Sequence, residues 1–82
     1  MADISVNFVN TDGRMVTVNL DDTTTAQEAI AELISAEFIT ANPQGYQLSV
    51  KGGPMLDPNR SFREMNIENG TTIKVVPATD AG

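Results

Sequence analysis

The sequence predicts an α+β domain in which one mixed sheet of four to five strands packs on one α-helix. Three observations carry that expectation. Two segments of alternating apolar and polar residues stand at the start, separated by an Asp-Gly turn. A single stretch with helical spacing follows, opened by a T-x-x-E capping pattern. More alternating segments come after it, all within 82 residues. Strands on both sides of one helix in so short a chain leave room for one layer of each kind and one core.

The elements follow in order. Ile4, Val6 and Phe8 alternate with Ser5 and Asn7, and Val16, Val18 and Leu20 alternate with Thr17 and Asn19. Each set puts its apolar members on one side of a half-buried strand. Between them lies NTDGR, where Gly13 supplies the positive φ a tight hairpin needs. Thr25 and Glu28 form the capping pattern, so the helix should begin within about two residues of Thr25. Ala26, Ala29, Ile30, Leu33, Ile34 and Phe38 recur at three- and four-residue steps. That stripe implies a helix of about 12 to 14 residues. Pro43 and Gly45 mark the loop beyond it. Tyr46, Leu48 and Val50 alternate again, and Gly52-Gly53-Pro54 turns the chain before a short strand at Met55-Leu56. Ser61-x-x-Glu64 is a second cap pattern, for a single turn that buries Phe62, Met65 and Ile67. The last strand runs from Thr71 to Val76, and Pro77 should end it by removing a ladder donor. The expected core is Ile4, Val6, Val18, Leu20, Ala29, Ile30, Leu33, Leu48, Val50, Leu56, Ile67, Ile73 and Val75, with Met15, Met55 and Met65 as filler.

Composition narrows function. With neither cysteine nor histidine, the chain has no thiolate nucleophile, no disulfide and no imidazole base or metal ligand. An enzyme with its own active site is not expected, and neither is a cofactor. Five basic against eleven acidic residues give a net charge of −6, which disfavours nucleic acid and anionic membrane as partners. Neither a signal segment nor an apolar run long enough to span a bilayer is visible, so the expectation is a cytoplasmic monomer. Asp21-Asp22 reads as helix-cap surroundings rather than a metal site, and Gly52-Gly53-Pro54 lacks the lysine and helix of a phosphate loop.

The order of elements resembles the β-grasp fold, and its spacing is similar to that of ubiquitin. The resemblance runs from about Ile4 to Gly82. Its most specific part is LDPNRSFREMNIENGTTIKVV, where Leu56, Asp57, Arg60, Asn66, Ile67 and Thr72 match ubiquitin or stand close to it. From Leu56 onward the register needs no gap, and Gly82 falls on ubiquitin's terminal glycine.

The resemblance implies a domain over residues 1–77 and a flexible tail over 78–82. It also implies a protein modifier joined to target-protein lysines through the Gly82 carboxylate, after ATP-dependent activation by cognate activating and conjugating enzymes. Ala78, Thr79, Asp80 and Ala81 would then contact the activating enzyme. Two departures bear on this: Ala81 precedes Gly82 where ubiquitin has a second glycine, and Ala78 and Asp80 lie where ubiquitin's tail carries arginines. Two alternatives stay open: a sulfur carrier, and a non-covalent β-grasp subunit of a multicomponent system such as an oxygenase or a secretion machine. The expected partner-binding surface is Val9, Ser49, Lys74 and Val76, with Ser49 in place of the isoleucine at the centre of ubiquitin's hydrophobic patch.

Overall fold

The computed structural model describes residues 2–78. Its elements are strand β1 (Asp3–Val9), strand β2 (Met15–Asp21), helix α1 (Ala26–Ser35), strand β3 (Tyr46–Val50) and strand β4 (Thr72–Pro77). They form one sheet in the order β2-β1-β4-β3. The outer pairs are antiparallel and the central pair, β1 with β4, is parallel, so the sheet is mixed. The Met55-Leu56 segment makes only an isolated bridge, Ser49 to Met55, which leaves four strands among the described residues.

The β1–β2 hairpin closes where the sequence places it. Gly13 has φ of +90°, and the Asn10 amide donates to the Arg14 carbonyl at 2.8 Å. Thr25 is the helix N-cap: its hydroxyl accepts from the Glu28 amide at 3.1 Å, while the Glu28 carboxylate accepts from the Thr25 amide at 3.0 Å. Two further amides of the first turn, which no helix can satisfy internally, donate to the distant carbonyls of Arg60 and Pro58. The 57–71 segment therefore acts as a second cap, tying the helix start to the far end of the chain.

The helix is shorter than its apolar stripe suggests, ten residues rather than 12 to 14. Glu37 takes a left-handed conformation, φ +62°. Its amide donates to the Ile34 carbonyl and the Phe38 amide to the Leu33 carbonyl, which is the Schellman pattern of helix termination. Phe38 thus packs against the core from beyond the helix, and Ile39 behind it is buried.

The core lies between α1 and one sheet face: Val6, Phe8, Leu20, Ala26, Ala29, Leu33, Ile39, Leu48, Phe62, Ile67, Ile73 and Val75. Ile4, Val18, Ile30, Val50 and Leu56, expected to be buried, are only half-buried at its margin. For Val18 and Val50, on the outer strands β2 and β3, width is the reason: three strand spacings of about 4.8 Å make a sheet wider than one helix of about 10 Å can cover. Met65 is half-buried as well. Met15 and Met55 are not filler at all: they are 60% and 58% exposed.

Candidate protein-docking face

Alternation along each strand sends one set of side chains under the helix and leaves the other on an open face. On β1 the open set is Asp3, Ser5, Asn7 and Val9, and on β2 it is Met15, Thr17, Asn19 and Asp21. β3 contributes Gln47 and Ser49, and β4 contributes Thr72, Lys74 and Val76. Register then groups these residues. Val9 pairs with Met15 on one side and Lys74 on the other, Lys74 pairs with Ser49, and Ser49 bridges to Met55. The result is a row across all four strands: Met15, Val9, Lys74, Ser49, Met55. Val76 sits two residues along β4 from Lys74, opposite Gln47, and is 40% exposed.

The two ends of this face differ in chemistry. Away from the row, polar side chains satisfy one another: the Ser5 hydroxyl bonds to the Asn19 amide oxygen at 2.6 Å and the Thr17 hydroxyl to that of Asn7 at 2.6 Å. Asp3 and Asp21 stand opposite each other at the far corner. A hydrogen bond from the Thr23 backbone amide, joined by the Thr23 hydroxyl, holds the Asp21 carboxyl below its ordinary value. Around the row, by contrast, Met15, Val9, Val76 and Met55 are apolar. Among the described residues Lys74 has no carboxylate within ion-pair distance, and the one salt bridge there is Arg14 to Asp12 at 2.9 Å. In that pair the Arg14 backbone amide, together with its guanidinium, lowers the Asp12 pKa.

The structure therefore brings Val9, Ser49, Lys74 and Val76 onto one face and adds Met15 and Met55 to them. Parity along β2 already pointed Met15 away from Val16 and Val18. Nothing local marks Met55, whose position depends on the bridge to Ser49.

The tail residues divide. The Ala78 amide donates to the Gly45 carbonyl at 2.9 Å and its carbonyl accepts from Asn42 Nδ2 at 3.2 Å, so Ala78 is held to the domain and is not part of a free tail. Pro77 does not end the ladder either. It is the last residue of β4, opposite Tyr46, and pairing continues one residue beyond it. Its missing N–H is harmless because the flanking pair, Ala78 with Gly45, makes the bond. Thr79, Asp80, Ala81 and Gly82 lie outside the described residues. Asp21 and Asp22 are engaged with Thr23 and the Ala2 amide, and no group of three or more acidic side chains among the described residues is placed to hold a metal ion.

The family model described as "WXG100 protein secretion system (Wss), protein YukD" matches residues 3–75. The chain belongs to the YukD family. A solved structure of a de novo protein designed on the basis of ubiquitin superposes with a TM-score of 0.77 at 22% identity, covering 98% of this chain and 95% of that one. The fold of this YukD-family chain is thus the ubiquitin-like β-grasp. No curated protein matches it.

Proposed function

We propose that this YukD-family chain is a non-covalent ubiquitin-like adaptor subunit of a WXG100 protein secretion system. It works as a cytoplasmic monomer without an active site of its own, and it engages protein partners through the open sheet face around Val9, Ser49, Lys74 and Val76. The family match over residues 3–75 carries the reading, because its description names a secretion system. Conjugation through Gly82 to target lysines, the function that likeness to ubiquitin implies, has no support of that kind. The anchoring of Ala78 adds to the contrast, since it shortens the segment that an activating enzyme would have to thread.

The two readings separate on denaturation. Co-expression with the subunits of a WXG100 protein secretion system should give a complex that survives native purification and falls apart in denaturant. The same complex should form with a chain lacking residues 79–82. A product that persists in denaturant and yields a peptide ending at Gly82 joined to a lysine would overturn the adaptor reading.

A further inference from the structure

We infer that the row from Met15 to Met55 is the seat of an acidic amphipathic helix of a partner protein. The inference rests on the adaptor reading and specifies the partner's chemistry.

Charge comes first. The chain is strongly acidic, yet its only two lysines lie together on this face. Lys74 belongs to the row, and the Lys51 amide donates to the Thr72 carbonyl, which continues the β3–β4 ladder one residue past Val50. Lys51 is thus in line with Ser49 and diagonal to Lys74, at about 7–8 Å. Every open-face position of β3 and β4, namely Gln47, Ser49, Thr72, Lys74 and Val76, lacks a carboxylate. The acidic pair on this face, Asp3 and Asp21, is six residues from Val9 and Met15 along their strands, about 20 Å away. Asp12 in the nearby turn is already paired with Arg14. A net-negative molecule that gathers its lysines beside exposed apolar side chains presents a local site for carboxylates that the rest of its surface repels.

Apolar content comes second. Met15 at 60% exposure, Met55 at 58% and Val76 at 40% are the large hydrophobic side chains exposed among the described residues; Val76 is two residues from Lys74 on β4, and the two methionines end the row that Lys74 centres. Methionines at the two ends and a valine between them make an adaptable apolar contact.

Backbone accounting selects the helix. The strands beneath the row have their amides and carbonyls committed to one another, so an extended segment lying on this face would bury its own backbone groups without partners. A helix brings those bonds with it. The row crosses four strand spacings, about 19 Å. A helix needs about 13 residues for that length. Leucines at i, i+4, i+7 and i+11 would meet the row, and glutamates on one flank would meet Lys51 and Lys74.

The test uses the full chain, isotopically labelled, and two synthetic 18-residue helical peptides with the same leucine stripe, one flanked by glutamate and one by lysine. The glutamate peptide should shift the amide resonances of Val9, Met15, Ser49, Met55, Lys74 and Val76 and bind at least tenfold more tightly than the lysine peptide. The double variant K51E/K74E should reverse that order, with thermal melts confirming that the fold is retained. Equal binding of the two peptides, binding of neither, shifts centred on α1 or the β2 edge, or self-association that occupies the face would each overturn the inference. Co-purification with the secretion subunits tells the two levels apart. If wild type forms no complex, the adaptor reading itself fails. If K51E/K74E forms the complex as well as wild type, the adaptor reading stands and this inference fails.

Discussion

Leu33 is the sharpest test of how the sheet and helix hold together. It is 1% exposed, on the face of α1 that meets a core including Phe8, Phe62, Ile73 and Val75, all 0% exposed. Replacing it with alanine removes three carbon atoms from the tightest part of that core, a transfer loss of about 2.4 kcal/mol at 0.8 kcal/mol per carbon. If the surroundings stay rigid, the vacated space adds up to about 2 kcal/mol. The expected cost for Leu33→Ala is therefore about 2.5 to 4.5 kcal/mol. A domain of this size holds only about 4 to 12 kcal/mol in total, so the variant should lose a large share of its stability. Backbone capping is not the cause: the Leu33 carbonyl that accepts the Phe38 amide is unchanged by the substitution. Urea titration followed by circular dichroism should show a lower midpoint at an unchanged slope. Ile30→Ala, on the half-buried flank of the same helix, serves as an internal standard and should cost clearly less. A loss below about 1 kcal/mol for Leu33→Ala, or a larger loss for Ile30→Ala, would show that the helix presents a different face to the sheet.

Three further outcomes follow from local chemistry. Thr25→Ala deletes half of the reciprocal cap with Glu28 and should cost about 1 kcal/mol in thermal or urea melts, with the fold preserved. Glu37→Gly should raise stability by about 0.5 to 1 kcal/mol in the same melts, because glycine adopts the left-handed Schellman position without the strain a side chain suffers there. Asp12 and Asp21 are more acidic folded than at their ordinary value of 3.8, so the stability they contribute is fully present above about pH 4 and is lost as pH falls through the folded values. The melting temperature should accordingly fall in acid, and the double variant D12N/D21N should flatten that fall; an unchanged acid limb would remove these two carboxylates as its cause.

Much of the architecture was legible along the chain because its signals are local. Alternation in Ile4–Phe8, Val16–Leu20, Tyr46–Val50 and Ile73–Val75 depends only on the period of an extended backbone. The Thr25–Glu28 cap and the Asp12-Gly13 turn are likewise reciprocal bonds or dihedral needs within four residues. Even the open-face placement of Ser49, Lys74 and Val76 follows from parity once Leu48, Ile73 and Val75 are given to the core.

What parity cannot supply is register. The meeting of Met15, Val9, Lys74, Ser49 and Met55 in one row depends on how four strands far apart in sequence slide against one another, and on a bridge that draws Met55 up to β3. Those offsets are chosen by the whole core at once, since shifting a strand by one residue would exchange its buried and exposed sets. The same non-local origin explains the other departures. Pro58 and Arg60 cap a helix that begins more than thirty residues earlier, and Gly45 and Asn42 hold Ala78 beyond a proline that local sequence alone makes a strand end. The helix stops at a glutamate in a left-handed turn, where the position of Phe38 and Ile39 against the sheet outweighs the periodicity that would have carried the helix further. A stripe of apolar residues states which side chains seek the core; the depth and width of that core determine how many of them reach it.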